Sequence, residues 1–582
     1  MYSKGVWLKR FINKNLLSCY KRNILNLRTF STNNVNSNVL TCDSGDVDLP
    51  DSTIPEFILP KLEEYHKYTA SECATTGRKY TFGQVRKKCK NLNKAIRHIF
   101  KLQKGDVVAI LLPNCPEFAI SALGILEAGL VLTTLNPIYT PDEISKQLID
   151  SSAKVLITQV QGVNNAKAAV QLTQKHIPII AIKRLQNDSI PEGVIDFEEL
   201  VNNNDISISD ADHVKSSDLA FLPYSSGTTG LPKGVELTHH NIISNLCEIS
   251  HKDYNYFDPP TDSSQDVTAA VLPYYHIYGF CLSLLNMAYN GAKTVTIEKF
   301  TPEVYLSVLQ KHPLSIIYVA PPLVLFFISH PHVKAEHFDH LKVLTSGAAP
   351  LGHSDEERFI KKLGRETNIC QGYGLTETSP ILTYSPKGTK RTEHSSGSVG
   401  KVVPNTLIKI VSPDDPTGTP LGPNEKGELL TKGPQVMGGY HKREEESKNA
   451  FLDGWFRTGD IGYYNEQKQV FITDRIKELI KVKGYQVAPA ELEAVIRDHP
   501  SIEDAAVIGI PHSKYGEVPR AYIVPKKDVT LDIEDLKKYV AVKVAPYKQL
   551  QGGVQILENI PKNPSGKILR RQLKMGFEKN GV

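Results

Sequence analysis

The chain has 582 residues, 40% of them hydrophobic and 23% charged, with a mean hydropathy of −0.26. That length exceeds what one core normally serves, so two or more domains are expected, and Pro113, Asn114, Pro321 and Pro322 interrupt the longest apolar stretches, which excludes a transmembrane helix. The net charge of +5 resides in the leader: seven basic residues precede the first acidic one, Asp43, and the remainder carries 61 basic against 63 acidic residues, which excludes a nucleic-acid footprint on the body.

The first 42 residues read as a mitochondrial transit peptide and disordered leader. On a helical wheel Trp7, Leu8, Phe11, Ile12 and Leu16 oppose Lys9, Arg10 and Lys14, and Arg28-Thr29-Phe30 precedes an Asn/Ser-rich stretch. Import is therefore expected, with a cytoplasmic location the alternative. The eight cysteines are scattered without a Cys-x-x-Cys or Cys/His cluster, which argues against zinc and against a disulfide framework.

From Asp106 the pattern alternates: strand 107–112, helix 117–128, strand 131–135, a helix from Pro141 and strand 154–158. A second series runs from Ala269 to Ser346, with a helix over 301–311 between strands 294–297 and 315–319. Alternation of this kind predicts parallel sheet covered by helices. After Gly397 short strands and Gly/Pro turns predict a β-rich subdomain. Beyond Asp474-Arg475 come a helix (489–498), two strands (505–509 and 520–525) and a helix (531–540), a unit of domain size. The predicted fold class is α/β: a large body (43–473) of two doubly wound α/β layers plus the β-rich subdomain, and a small α+β lid (474–582) with a hinge near Asp474.

Residues 224–235 read Tyr-Ser-Ser-Gly-Thr-Thr-Gly-Leu-Pro-Lys-Gly-Val. Glycines such as Gly227 let backbone N–H groups turn toward a polyphosphate, Ser225, Ser226, Thr228 and Thr229 add hydroxyl donors, and Lys233 supplies charge. A flexible Gly/Ser/Thr linker has the same composition, but apolar stretches flank the run on both sides. It is not a Walker A loop, because Pro232 stands where that motif needs glycine. Downstream, Gln371-Gly372-Tyr373-Gly374-Leu375-Thr376-Glu377 offers close backbone approach, an aromatic face, a hydroxyl and a carboxylate suited to Mg²⁺. Asp460, after the turn in Trp455-Phe456-Arg457-Thr458-Gly459-Asp460, suits a ribose diol and equally a plain turn. Asp474-Arg475 reads alone as a surface ion pair, and Lys567, after Pro564-Ser565-Gly566, as a solvated lysine.

Together and in this order, over residues 50 to 575, these stretches resemble the adenylate-forming superfamily of acyl-CoA synthetases, 4-coumarate:CoA ligases and beetle luciferases. The loop at 225–235 and the run Leu272-Pro273-Tyr274-Tyr275-His276-Ile277-Tyr278 look most like the 4-coumarate ligase branch. The resemblance implies an acid–thiol ligase: a carboxylate attacks the α-phosphate of ATP to give acyl-AMP and pyrophosphate, and CoA then displaces AMP. It implies ATP, CoA and a small carboxylic acid as partners, with Mg²⁺ as cofactor. A medium- or long-chain fatty acyl-CoA synthetase, a luciferase-like oxidase and an ATP-binding pseudoenzyme stay open as alternatives, as does the oligomeric state.

Carried over residue by residue, the resemblance assigns Ser225 to Thr229 and Lys233 to the outer phosphates, Thr376 to the α-phosphate and Glu377 to Mg²⁺. Gln371, Gly372 and Tyr373 would frame adenine, and Asp460 and Arg475 the ribose. Lys567 would drive adenylation. After a swing of the lid, Lys477, Lys481 and Gln486 would approach the acyl-adenylate, and Lys299, Lys483 and Gly484 would contact CoA. His276 would gate the acyl entrance, with Tyr278, Thr345, Ala348, Gly372, Pro380, Ile381 and Leu382 around the acyl group. Leu282, where hydroxycinnamate ligases tend to be polar, implies loss of a partner for a ring hydroxyl and a preference for less polar acids.

Overall fold

The computed structural model describes residues 37–206, 213–225, 232–349, 351–389, 397–476, 478–482, 485–512, 514–527, 529, 531–563 and 566–580. The predicted leader therefore lies almost wholly outside the described residues. Among those described, no helix is long and apolar enough to cross a membrane.

The first layer is a nine-stranded sheet built on Val107–Leu111, Val131–Thr134, Val155–Gln159 and Ile179–Ile182, which run parallel. Every residue of these four strands is buried, the signature of a sheet covered on both faces. The helix Pro141–Ser151 starts where the sequence demands. Thr140 accepts from the Glu143 N–H, Glu143 caps the Thr140 N–H in return, and Pro141 has no donor to lose. Lys233–Thr238 closes this sheet antiparallel to Leu219–Phe221 and carries Gly439–Tyr440 on its outer edge.

The stretch 269–346 was expected as one series, and the structure distributes it differently. Val267–Ala270 and Lys293–Thr296 pair with each other and, through Thr69–Cys73 and Lys79–Thr81, form a four-stranded sheet. Ile316–Val319 and Val343–Ser346 belong to another sheet with Asn368–Gly374, Ile381–Tyr384 and Lys401–Val402. The Ser315 N–H donates to the Val267 carbonyl at 3.0 Å, so the two sheets abut edge to edge as a second layer. Residues 69–81 escape a sequence reading because their pairing partner lies more than 200 positions away.

The β-rich subdomain holds Leu407–Val411, Gly427–Lys432, Phe451–Leu452, Trp455–Tyr464 and Val470–Arg475, all antiparallel. The last unit begins at Ile480–Val482, whose sheet includes Tyr485–Val487, Ile502–His512, Gly516–Pro525 and Val554–Ile556. It has a core of its own, with Leu492, Ile496, Val507, Ile523 and Leu536 at its centre. The change of sheet falls between Arg475 and Ile480. There the Asp474 carboxylate accepts the Ala490 N–H at 3.0 Å, satisfying an orphan donor in the first turn of the helix Pro489–Arg497.

Candidate active site

Ser225, Lys233 and Glu377, which the resemblance assigns to the outer phosphates and Mg²⁺, come together. Ser225 and Lys233 are brought opposite each other by the pairing of Tyr224–Ser225 with Lys233–Thr238. Across from them, Glu377 sits in the short turn Thr376–Thr378, with its carboxylate buried. One oxygen of that carboxylate accepts from the Ser225 hydroxyl at 3.0 Å and from the Tyr440 hydroxyl at 3.1 Å. Lys233, only 7% exposed, pairs with Glu446 and lies 5.2 Å from the centre of the Tyr440 ring. A buried ammonium needs such a counter-charge. Ser226, Gly227, Thr228 and Thr229 lie outside the described residues.

The next cluster joins residues far apart in sequence. Asp460 and Arg475 are cross-strand neighbours in the Trp455–Tyr464/Val470–Arg475 pair, so the Arg475 guanidinium reaches the Asp460 carboxylate at 3.1 Å. Tyr373 donates its hydroxyl to the other Asp460 oxygen at 2.7 Å. Burial raises the Asp460 carboxyl above its ordinary range, and Arg475 and Tyr373 oppose that shift. The Gln371 side chain is spent inside the protein. It donates to the Leu351 carbonyl and to Glu356, and accepts the Leu351 N–H. Its backbone is held as well, the N–H donating to the Ser385 hydroxyl and the carbonyl accepting the Ser385 N–H, each at 3.1 Å.

Lys567 reaches this cluster from the small unit. Gly566 has φ +83, and a Cβ on it would stand 3.2 Å from Pro322 and 3.3 Å from Ala320. Glycine thus permits both the turn and the close approach to the body. Burial lowers the Lys567 ammonium below its ordinary value, and Arg475 lowers it further, while Glu478 and Asp460 act against them. His276 is pushed down to about 4, first by burial and then by Lys567. It is a neutral imidazole at physiological pH. Asp474, at the junction, is raised to about 7 by burial, against the N–H bonds of Ala490 and Arg475.

Among the residues the resemblance assigns to the acyl group, Tyr278 is buried, with its hydroxyl 3.5 Å from the Thr345 carbonyl. Thr345 shares a 2.5 Å hydrogen bond with Tyr384. Gly347 permits the Tyr278 ring to lie flush against the loop, since a Cβ there would be 3.1 Å from ring and hydroxyl. Ala348 follows with φ +68, a left-handed conformation unusual for alanine. Ser379-Pro380 is cis. Ile381, Leu282 and Val343 border a small cavity together with Asn286, Tyr318 and Tyr384.

Two expectations are corrected here. Leu382 does not line this cavity. It is fully buried in a separate core with Val399, Ile408, Leu429 and Val470, because neighbouring positions on a strand point to opposite faces, and Ile381 takes the cavity face. Leu282 does not leave the cavity without polar groups. One helical turn further, the Asn286 amide donates to the Tyr318 hydroxyl at 3.4 Å, and the Tyr384 hydroxyl lies on the same wall.

Lys299 is exposed, and Lys481 is exposed on the hairpin where it pairs with Gln486. Lys477, Lys483 and Gly484 lie outside the described residues, as does the side chain of Gln486. Among the described residues no group of three or more His, Cys, Asp or Glu is gathered to hold a metal.

Residues 61–441 match the AMP-binding enzyme family, and residues 491–567 match the AMP-binding enzyme C-terminal domain. The chain belongs to the AMP-binding enzyme family. Among curated relatives of this AMP-binding enzyme, 4-coumarate–CoA ligase 3 of Oryza sativa subsp. japonica is 38% identical over 534 residues, 91% of this chain and 93% of that protein. Probable 4-coumarate–CoA ligase 1 of Dictyostelium discoideum is 36% identical over 543 residues, covering 90% and 95%. Among solved structures, ATP-bound MatB from Rhodopseudomonas palustris superposes with a TM-score of 0.79 at 26% identity, over 90% of this chain and 99% of that chain. The o-succinylbenzoate CoA synthetase of Bacillus subtilis, in complex with its acyl-adenylate intermediate, gives 0.73 at 26% identity, over 90% and 99%. The fold of this AMP-binding enzyme is therefore the expected large α/β body with a smaller C-terminal domain.

Sequence reasoning passed over Tyr440, Glu446, Asn286 and Tyr318. Tyr440 sits in the unremarkable run Gly438-Gly439-Tyr440, and Glu446 is one of three consecutive glutamates. Only the pairing of Gly439–Tyr440 with Lys233–Thr238 brings them to Lys233 and Glu377.

Proposed function

We propose that this AMP-binding enzyme is an ATP-dependent carboxylic acid–CoA ligase acting through an acyl-adenylate, and that its acid is an aryl acid of the 4-coumarate type. The observation that carries this reading is the convergence of Lys567, Arg475, Asp460, Tyr373 and His276 from two domains on one cleft whose other end holds Lys233 and Glu377. The names of the curated relatives favour CoA as the thiol and a hydroxycinnamate as the acid.

In this reading Asp460 takes the ribose diol, and Tyr373 and Arg475 hold that carboxylate in place. Lys233 and the loop after Ser225 take the β- and γ-phosphates, and Thr376 the α-phosphate. Glu377 fits Mg²⁺ as a hard oxygen donor already oriented by Ser225 and Tyr440; the bound ion would neutralise phosphate charge. An acid oxygen attacks the α-phosphorus and the bond to the β-phosphate oxygen breaks, releasing pyrophosphate. Lys567 neutralises charge that builds on the α-phosphate and the attacking oxygen, so catalysis is positioning and charge stabilisation. His276 stays neutral and shields the acyl entrance from water. In the second half-reaction a thiolate attacks the acyl carbon and AMP leaves, after Lys477, Lys481 and Gln486 replace Lys567 by rotation at Asp474. Lys299, Lys483 and Gly484 then meet CoA.

For an aryl acid, Tyr318, Tyr384 and Ile381 supply aromatic and aliphatic wall and Asn286 and Tyr318 polar partners for a ring substituent, and the cavity of about 20 Å³ that they border must widen to admit a ring. The basic leader would deliver the enzyme to mitochondria. The decisive experiment is an acid panel with ATP, Mg²⁺ and CoA, comparing cinnamates with and without a 4-hydroxyl against C6 to C16 fatty acids. CoA-dependent AMP release with aryl acids is expected. Its absence across the panel would refute the ligase reading, and a preference for fatty acids would refute the aryl one.

A further inference from the structure

We propose that Asn245 is a positioning residue that fixes the wall of the acyl site through the backbone of Ile381. The proposal rests on the reading of Ile381 as part of the acyl wall. Asn245 lies within the helix His239–Ile249, where asparagine is a poor helix former, and it is 1% exposed. Its burial makes sense because both amide hydrogens are donated and the amide oxygen accepts a hydrogen bond. Asn245 Oδ1 accepts the Ile381 N–H at 3.0 Å, and Nδ2 donates to the Ile381 carbonyl at 2.8 Å. The second Nδ2 hydrogen goes to Glu248 Oε2 at 2.9 Å. One side-chain amide thus pairs with one residue's backbone much as an adjacent strand would.

The place of that residue gives the pairing its consequence. Thr376 and Glu377, at the phosphate end, are four or five positions before Ile381, which borders the cavity. Between them the chain is held by Thr378, whose hydroxyl donates to the Pro380 carbonyl at 2.7 Å, and by Ser379, whose hydroxyl donates to the Gln435 carbonyl at 2.8 Å. Beyond the strand itself, Asn245 ties the acyl end of this segment to a helix that is independently anchored. Thr238 and Asn241 cap that helix, and the Asn241 amide also reaches the Pro434 and Val436 carbonyls. Asn245 therefore fixes the span between the phosphate contacts and the acyl wall, the span an attacking carboxylate must bridge. Reaction rates are sensitive to displacements of about 1 Å in such a span.

Glu248 completes the device. It is fully buried, burial raises its carboxyl well above the ordinary range, and its Oε2 accepts from the Asn245 amide, which sets the orientation of that amide. Gln in its place would offer the same acceptor.

The test uses the full chain with Asn245→Ala, Asn245→Ser, Glu248→Gln and Glu248→Leu. Each is read by acid-dependent pyrophosphate exchange, by amide hydrogen exchange over residues 376–384 and by thermal melting. In Asn245→Ala and Asn245→Ser we expect kcat/KM for the acid to fall about 20-fold or more. KM for ATP should stay within about twofold, and the ratio of rates for differently substituted aryl acids should change. The Ile381 amide should lose protection. Glu248→Gln should keep the wild-type acid profile, and Glu248→Leu should share the Asn245 phenotype. Equal losses for every acid and for ATP, or no change, would overturn the proposal. If the wild type turns over no acid, the functional reading fails, while unchanged protection at Ile381 in both Asn245 variants would independently refute the geometric claim.

Discussion

Glu446 gives the sharpest test of the phosphate end. Lys233 carries its charge in a site where its side chain is 8% exposed, and Glu446, with 35% of its side chain exposed, is the carboxylate paired with it. If the outer phosphates of ATP need this ammonium, binding must include breaking that pair. The released carboxylate has another cation close by, since Arg443 stands 3.8 Å from its other oxygen. An exposed pair is worth up to about 1 kcal/mol, and one with a buried end somewhat more. About 1.4 kcal/mol is a tenfold change in affinity. Glu446→Gln keeps the volume and removes the charge, so KM for ATP should fall by about 3- to 10-fold, with kcat for adenylation little changed. Inhibition by pyrophosphate should tighten by a similar factor. The ligand-free variant should melt earlier, because Lys233 is left uncompensated, and saturating ATP should stabilise it by more than it stabilises the wild type. Initial rates of pyrophosphate exchange against ATP, paired with melting curves with and without nucleotide, measure all of this. A raised or unchanged KM for ATP would refute the reasoning, because it would mean that Glu446 remains with Lys233, or serves the nucleotide, in the bound state.

Lys567→Met should depress adenylation by about 100-fold or more while leaving thioester formation from supplied acyl-AMP within a few-fold; equal loss in both half-reactions would contradict the assignment. Because His276 is held at about 4, below the ordinary 6.5, the adenylation profile should show no acid limb near pH 6.5. The sign of its linkage follows. The neutral imidazole's contribution to stability is complete above pH 6.5 and is lost as pH falls toward 4, a loss that His276→Asn should remove from the denaturation curves. Asp474 runs the other way: its carboxyl is raised to about 7, so its contribution is complete below the unfolded value near 4 and declines as pH rises through 7. Asp474→Asn should flatten that decline in lid-domain melting between pH 5 and 8. Gly566→Ala should impair adenylation by more than its backbone strain of about 1 kcal/mol lowers lid melting, since the added methyl also meets Pro322 and Ala320 in the docked lid.

How far the sequence reached depends on whether a contact is local in the chain. The buried parallel strands at 107–111, 131–134 and 155–159 announce themselves as continuous apolar runs, and the helix at Pro141 announces its own cap. Within a motif the residue types leave alternatives, since Asp460 reads equally as a turn residue and Asp474-Arg475 as a surface ion pair, and it is the order of the motifs, through the family they resemble, that singles out Lys233, Glu377, Asp460 and Arg475. What the sequence withholds is the second partner of each. Asp460 has Tyr373 from 87 positions away, and Glu377 has Ser225 from 152 positions away. Lys233 has Glu446 only because Gly439–Tyr440 docks on the edge of its sheet. The acyl end is less legible still. Leu282 alone suggested an apolar pocket, but the cavity it borders also receives Asn286, Tyr318 and Tyr384, the first from its own helical stretch and the others from separate strands. Local patterns follow from propensity and periodicity, whereas a pocket's polarity is set by the register of strands that meet only after folding. Leu382 makes the point at the scale of one residue. A shift of a single position along a strand separates the cavity wall at Ile381 from a different hydrophobic core, and the backbone of Ile381 is held by Asn245, 136 positions upstream.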